Sequence, residues 1–232
     1  ARKILVRAPN WVGDVVMATP AFRCIRENFP DSHITLLIKR NLRGIIDGSS
    51  WFDEVIELES KAGKSKNGFV FSGKVCSGNT KEYLGLIRKI RAERFDLGFL
   101  FPNSFSSALM LWLGGVRRRI GYCRDARYLL LTDGIARPSE DGKFLPTYMS
   151  DYYLKLCTQL GCDISSGKPE LFISGECEDK ANELLRKHDI DEKPFILMNP
   201  GASYGSSKLW TAEGFARTAD LLKEGVDCNI VL

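Results

Sequence analysis

Pro9-Asn10-Trp11-Val12-Gly13-Asp14-Val15-Val16-Met17-Ala18-Thr19-Pro20 follows the apolar run Lys3-Ile4-Leu5-Val6-Arg7-Ala8 directly. That run reads as a short buried strand, and behind the polar loop Val15, Met17, Ala18, Phe22, Ile25 and Phe29 recur at helical intervals. Asp14 therefore stands where a βα loop enters a helix, at the carboxyl edge of a sheet. Two roles are open to it there. As an N-cap, its carboxylate accepts bonds from the free N–H groups of the first turn. As a catalytic carboxylate it faces a ligand, because open α/β sheets bind ligands outside the carboxyl ends of their strands.

The alternation continues outward from this unit. Ile34-Thr35-Leu36-Leu37-Ile38 is a second buried strand, 42–46 a short helix and Glu54-Val55-Ile56-Glu57-Leu58 a third strand. Residues 60–80, with Gly63, Gly68, Gly73 and Gly78 among lysines and serines, read as a long mobile loop of the kind that carries function. A helix over 81–93 precedes the central strand Phe95-Asp96-Leu97-Gly98-Phe99-Leu100-Phe101. This strand runs into Pro102-Asn103-Ser104 and an apolar helix over 106–113, repeating the layout around Asp14. Arg117-Arg118-Arg119-Ile120-Gly121-Tyr122 is a strand led by arginines, 128–131 another, and 148–160 a helix. This order predicts an α/β fold with a parallel sheet covered by helices on both faces.

Residues 161–169 have the Gly, Ser, Asp and Lys content of a linker, which divides the chain into domains over 1–165 and 166–232. The second part reads as a strand over 171–173, a helix over 179–188, a strand over 195–199, a helix over 213–223 and a strand over 229–232. Its loop Pro200-Gly201-Ala202-Ser203-Tyr204-Gly205-Ser206-Ser207-Lys208-Leu209-Trp210 joins a buried strand to an amphipathic helix. Small residues let backbone N–H groups approach an anion, serines add donors and Lys208 adds a charge, which is the chemistry of diphosphate binding. Two serines separate Gly205 from Lys208, so this is no Walker A loop, and G-x-G-x-x-G is absent.

The 33 lysines and arginines against 29 acidic residues leave a net charge of +4, too small to indicate nucleic-acid binding. No apolar run is long enough to span a bilayer and no secretory leader opens the chain, so a soluble intracellular protein is expected. The seven cysteines have no C-x-x-C spacing and read as reduced core residues. His33 and His188 lie too far apart for a zinc pattern or a Cys/His pair, so no metal is expected. Carboxylate in the first domain, anion loop in the second: a ligand held between two Rossmann-like domains is the arrangement of a GT-B glycosyltransferase.

The chain resembles the bacterial ADP-heptose:lipopolysaccharide heptosyltransferases. The resemblance rests on Asn10-Trp11-Val12-Gly13-Asp14, Leu100-Phe101-Pro102-Asn103-Ser104-Phe105 with Ser107-Ala108-Leu109, Arg119-Ile120-Gly121-Tyr122, Arg127-Tyr128-Leu129-Leu130-Leu131, Asn199-Pro200-Gly201-Ala202 and Lys208-Leu209-Trp210. Pro-Asn-Ser-Phe points to the heptosyltransferase II branch. The resemblance implies a GT-B fold whose C-terminal Rossmann-like domain is incomplete here, since the family's Asp-x-Gly-x-x-His segment would lie past Leu232. It also implies metal-independent, inverting transfer of L-glycero-D-manno-heptose from ADP-heptose to the heptose on Kdo-lipid A, without a cofactor. Asp14 then matches the proposed general base and Lys208 the residue steadying the diphosphate. Asn10, Trp11, Asn103, Ser104 and Arg119 fall to the acceptor, and Gly13, Gly201, Ala202, Ser203, Ser206 and Ser207 to the nucleotide sugar. A cytoplasmic enzyme, peripheral at the inner face of the inner membrane, is the expected setting, with the lysine-rich residues 60–80 a candidate contact for acceptor phosphates or anionic lipid. A related enzyme with another acceptor, of the heptosyltransferase I type, and a non-catalytic nucleotide-binding module remain the alternatives.

Overall fold

A computed structural model of the chain describes residues 1–59, 69–71, 74–76, 80–141, 143–190, 193–201 and 209–232. In chain order the first part forms β1 (Lys3–Arg7), α1 (Val12–Asn28), β2 (His33–Lys39), β3 (Glu54–Leu58), β4 (Phe69–Phe71), β5 (Lys74–Cys76), α2 (Thr80–Glu93), β6 (Leu97–Leu100), α3 (Phe105–Leu113), β7 (Arg118–Tyr122), β8 (Asp133–Ile135), β9 (Ser139–Glu140), β10 (Lys143–Phe144) and α4 (Met149–Thr158). It clusters as one compact unit over Ala1–Phe172, and a second unit runs from Ile173 to Leu232.

Six strands pair in parallel in the order β3-β2-β1-β6-β7-β8. Strand residues alternate between the two faces. Ile4, Val6, Ile34, Leu36, Phe99 and Phe101 join one core with Ala18, Phe22 and Ile25 of α1 and Leu156 of α4. Leu5, Leu37 and Leu100 join the opposite core with Ile87 and Ile90 of α2 and Ala108 and Leu111 of α3. Burial on both faces explains why these strands read as unbroken apolar runs, as parallel strands do. The chain winds outward from β1 to β3, then returns to place β6 on the other side of β1. The winding thus reverses between β1 and β6, and the loops following those two strands open there.

α1 carries Pro20 in its interior. A proline donates no N–H to the carbonyl four residues back, and the Thr19 hydroxyl instead donates to Val16 O at 2.8 Å. The helix therefore runs its full length although the sequence interrupts it.

The second unit contains α5 (Gly175–Lys187), β11 (Phe195–Leu197), α6 (Ala212–Gly225) and β12 (Asn229–Val231). β11 and β12 pair in parallel, Phe195 opposite Asn229. Ser174 and Thr211 cap the two helices by accepting from Cys177 N and Gly214 N, the Ser/Thr N-cap geometry expected of such starts.

Several expectations are corrected. Residues 128–131 are no strand: Arg127–Leu130 forms a 3-10 turn entered from Ala126 in the left-handed region, because the Arg127 side chain is drawn inward. Residues 171–173 pair with nothing as a strand; Phe172 instead packs edge-on against Trp51 at 5.3 Å. Within residues 60–80, β4 and β5 pair as an antiparallel hairpin, while Lys61, Lys64, Lys66, Gly63, Gly68, Gly73 and Gly78 lie outside the described residues. Residues 163–170 are docked along α1 despite their linker composition: Asn28 Oδ1 accepts from Asp163 N at 2.9 Å, Arg23 pairs with Glu170 at 2.6 Å, and Glu170 N donates to Thr19 Oγ1 at 3.0 Å. Of the cysteines, Cys24, Cys157, Cys162 and Cys228 are buried as expected, whereas Cys123 and Cys177 are exposed.

Candidate functional site

Asp14 is the third residue of α1, behind Trp11, which holds the cap position in an extended conformation with no side-chain hydrogen bond. Asp14 is therefore no N-cap. Asp14 is half-buried, near Tyr153 on α4. Burial above all, and then the negative charge of Asp14, push the Tyr153 phenol well above its ordinary range.

Two cations lie at the ends of neighbouring strands. Arg7, the last residue of β1, is 6% exposed. Its Nη1 donates to Ala8 O at 2.6 Å and Leu37 O at 3.3 Å, and its Nη2 to Asn10 Oδ1 at 2.7 Å, while Nε has no partner. No carboxylate pairs with it among the described residues, and burial lowers its pKa to about 10. Lys39, the last residue of β2, donates to Asn10 O at 3.3 Å and stands 5.9 Å over the Trp11 ring. Burial and then the charge of Arg7 lower its pKa too. Both shifts record the same condition: positive charge held near the sheet's carboxyl edge without a counter-charge. Trp11 is 67% exposed beside them.

The loop after β6 faces the same edge. The Asn103 side chain exchanges a hydrogen bond with the Tyr152 hydroxyl at 3.0 Å, and its Oδ1 accepts from Arg127 Nη2 at 3.2 Å. Arg127 is wholly buried and donates besides to Tyr122 O at 2.8 Å and to Pro102 O. It binds the loop to the end of β7. Gly121 leaves the room for this, since a Cβ there would stand 3.1 Å from Arg127 Nη2 and 3.2 Å from Leu100 Cβ. Tyr122 stacks on Tyr152 at 3.8 Å.

The structure thus brings Asn10, Trp11, Asp14 and Asn103 to one edge. Ser104 is there as well, but its hydroxyl caps α3 by accepting from Ser107 N. Gly13 occupies the second helical position with open space where a Cβ would stand. Arg119 is not brought together with them. It lies near the amino end of β7, opposite Gly98, and its guanidinium donates to the carbonyls of Leu130, Val116 and Arg117. In the second unit Gly201 N donates to Asn199 Oδ1 at 3.1 Å, closing a tight turn at the end of β11's loop. Ala202, Ser203, Ser206, Ser207 and Lys208 lie outside the described residues. Sequence reading missed Arg7, Lys39 and Tyr153. An arginine ending an otherwise apolar buried strand was the available signal for the first; nothing local marks the other two, whose partners are distant in the chain. No group of three or more His, Cys, Asp or Glu side chains able to hold a metal ion occurs among the described residues.

A parallel sheet with a carboxylate, an exposed indole and two cations without a carboxylate partner among the described residues at its winding reversal defines a Rossmann-like α/β protein. Residues 83–232 match glycosyltransferase family 9 (heptosyltransferase). The chain belongs to that family and has its GT-B fold class. It is 28% identical over 228 residues to the lipopolysaccharide heptosyltransferase 2 of Escherichia coli, covering 96% of this chain and 61% of that protein. The glycosyl transferase family 9 structure from Veillonella parvula superposes with a TM-score of 0.81 at 22% identity, over 99% of this chain and 62% of that one. The structure of the Escherichia coli ADP-heptose lps heptosyltransferase II does so at 0.71 and 25%, over 98% and 63%. The chain thus spans a little over three fifths of the proteins it matches.

Proposed function

We propose that the protein is an inverting heptosyltransferase, moving L-glycero-D-manno-heptose from ADP-heptose to the heptose of a Kdo-lipid A inner core without a metal ion. The observation that carries this reading is Asp14 itself: a half-buried carboxylate released from capping, at the winding reversal of a family 9 sheet. In the reaction the Asp14 carboxylate takes the proton of the acceptor hydroxyl as that oxygen attacks the anomeric carbon. The bond to the diphosphate breaks on the opposite face, which inverts the centre. Lys208 and the backbone N–H groups of 201–207 steady the charge that develops on departing ADP.

Arg7 and Lys39 supply what the acceptor needs on the other side. An inner core carries carboxylate and phosphate groups, and an anion beside these two cations relieves the cost of holding them together. Asn10 and Asn103 offer amide groups to sugar hydroxyls, and the exposed face of Trp11 offers an apolar platform for a sugar ring. No described helix is long and apolar enough to cross a membrane; the lysines of residues 60–80 draw the enzyme to the anionic inner face of the inner membrane, where a lipid acceptor is presented.

The test is Asp14→Asn in the full-length protein, assayed for transfer from ADP-heptose to a defined inner-core acceptor. Turnover falls by about 10²–10⁴, the worth of a positioned general base, while the unfolding midpoint stays within a few degrees because no cap is lost. Unchanged turnover refutes the assignment. Persistence of turnover in excess chelator checks metal independence, and acceptors with and without the first heptose separate the two branches of the family.

A further inference from the structure

Asn10 and Asn103 stand at equivalent places on neighbouring strands. Arg7 ends β1 and pairs in register with Leu100, which ends β6, and each is followed three residues on by an asparagine behind a proline. Both asparagines are half-buried, and a buried arginine takes each side-chain oxygen. Asn10 Oδ1 accepts from Arg7 Nη2 at 2.7 Å and Asn103 Oδ1 from Arg127 Nη2 at 3.2 Å. A guanidinium has no lone pair to offer, so the oxygen must face it and the NH2 group must turn away. The Asn103 NH2 gives one hydrogen to the Tyr152 hydroxyl at 3.0 Å and keeps one unspent; the Asn10 NH2 has no partner among the described residues. Lys39 Nζ fixes the Asn10 backbone from the other side by donating to its carbonyl at 3.3 Å. Burial holds the pKa of Arg7 and of Arg127 at about 10, and neither pairs with a carboxylate among the described residues. An aspartate at position 10 or 103 has the shape of asparagine and gives the buried cation the counter-charge it lacks. For the fold asparagine is thus the poorer choice, and what it keeps is its outward N–H groups.

We propose that Arg7 and Arg127 are positioning residues that hold both amides with their N–H groups outward, so that this edge prefers the acceptor-only oxygens of a carboxylate or phosphate to the sugar hydroxyls it can also meet. This rests on the reading of the edge as the acceptor's side of the transfer reaction. A hydroxyl donates as well as accepts and adapts to either end of an amide. An anionic oxygen only accepts, and its bond to N–H is the shorter and stronger one. Two amides locked in the same sense, with cations behind them, therefore separate the two kinds of oxygen.

The experiment measures thermal midpoints and transfer kinetics of Asn10→Asp and Asn103→Asp in the full-length protein. Each new carboxylate pairs with its arginine, so the midpoints equal the parent's or rise. Each also replaces N–H donors with a repelling charge, so kcat/KM for an inner-core acceptor falls by about 10-fold or more, with KM for ADP-heptose unchanged. The penalty shrinks on the acceptor that lacks the group being read, one stripped of phosphate or one with amidated carboxyl groups, which tells the two anions apart. Arg7→Met lowers the midpoint further in Asn10→Asp than in the parent, because it leaves the carboxylate without its cation. Aspartate variants that melt several degrees lower, an equal effect of Arg7→Met in both backgrounds, an unchanged kcat/KM, or a penalty that survives both acceptor changes overturns the inference and leaves the transfer reaction standing. No transfer by the parent protein overturns the reaction itself, and this inference with it.

Discussion

Arg7→Met separates a charge kept for function from one kept for folding. Burial lowers the Arg7 pKa from 12.5 to about 10, which at 1.36 kcal/mol per pH unit sets the cost of holding the cation there at about 3 kcal/mol. Methionine has nearly the same length, fills the same channel and removes that cost. Against it stand the hydrogen bonds that vanish. Leu37 O keeps a donor, since Ala8 N also binds it at 3.0 Å, and half-exposed Asn10 turns to water. Only Ala8 O is left bare, at about 1–3 kcal/mol. The two effects nearly cancel, so stability changes by no more than about 1 kcal/mol, although replacing a buried arginine that pairs with a carboxylate typically costs about 3–5 kcal/mol. Under the proposed reaction, transfer to an anionic acceptor weakens through KM for the acceptor, with that for ADP-heptose unchanged. Urea unfolding and steady-state kinetics on the same preparations make the comparison. A loss of 3 kcal/mol or more, or an unchanged acceptor KM, refutes the view that Arg7 is held for a ligand.

Gly98→Ala in β6 places a methyl 2.7 Å from Leu111 Cδ2 and 2.9 Å from Val116 Cγ1; a destabilisation of about 1–3 kcal/mol by denaturant unfolding is expected from such overpacking. Maleimide labelling followed by peptide mapping modifies exposed Cys123 and Cys177 first, while Cys24, whose hydrogen bond with Cys157 chiefly pushes its thiol up to about 12, reacts only on unfolding. Arg118 grips Asp133 with two bonds of 2.9 and 2.7 Å and holds its carboxyl below the usual range. A lowered folded-state pKa gives stability that is present above the unfolded carboxylate range and lost as pH falls through the folded value, so Asp133→Asn flattens the acid side of the stability–pH curve and leaves the neutral side's slope untouched.

The doubly wound sheet was legible because both faces of its strands are covered, which turns each strand into an apolar run bounded by polar loops. The edge of the site was legible for the same reason: Asn10, Trp11 and Asn103 directly follow such runs, and sequence order alone assigns them to one end of a parallel sheet. Arg119 misled because a strand of five residues has two ends, and position within it decides the edge. Arg127 and Tyr153 escaped because what marks each is a neighbour distant in the chain, Pro102 for one and Asp14 for the other. The 163–170 segment looked like a linker because Gly, Ser and Lys are judged by their side chains, while here the backbone and Arg23 do the docking. That Asp14 is no cap turned on three residues of helix phase, finer than periodicity resolves.

The edge contact between Trp51 and Phe172 has a spectroscopic consequence. Trp51 is 4% exposed, whereas Trp11, Trp112 and Trp210 are 67%, 49% and 58% exposed. The blue edge of the intrinsic emission therefore belongs to one indole, and that indole touches the last residue of the first unit. Any event that lifts Phe172 from its seat lets water reach Trp51 and reddens the spectrum, giving the protein a built-in optical gauge of how firmly the end of its first unit is fastened.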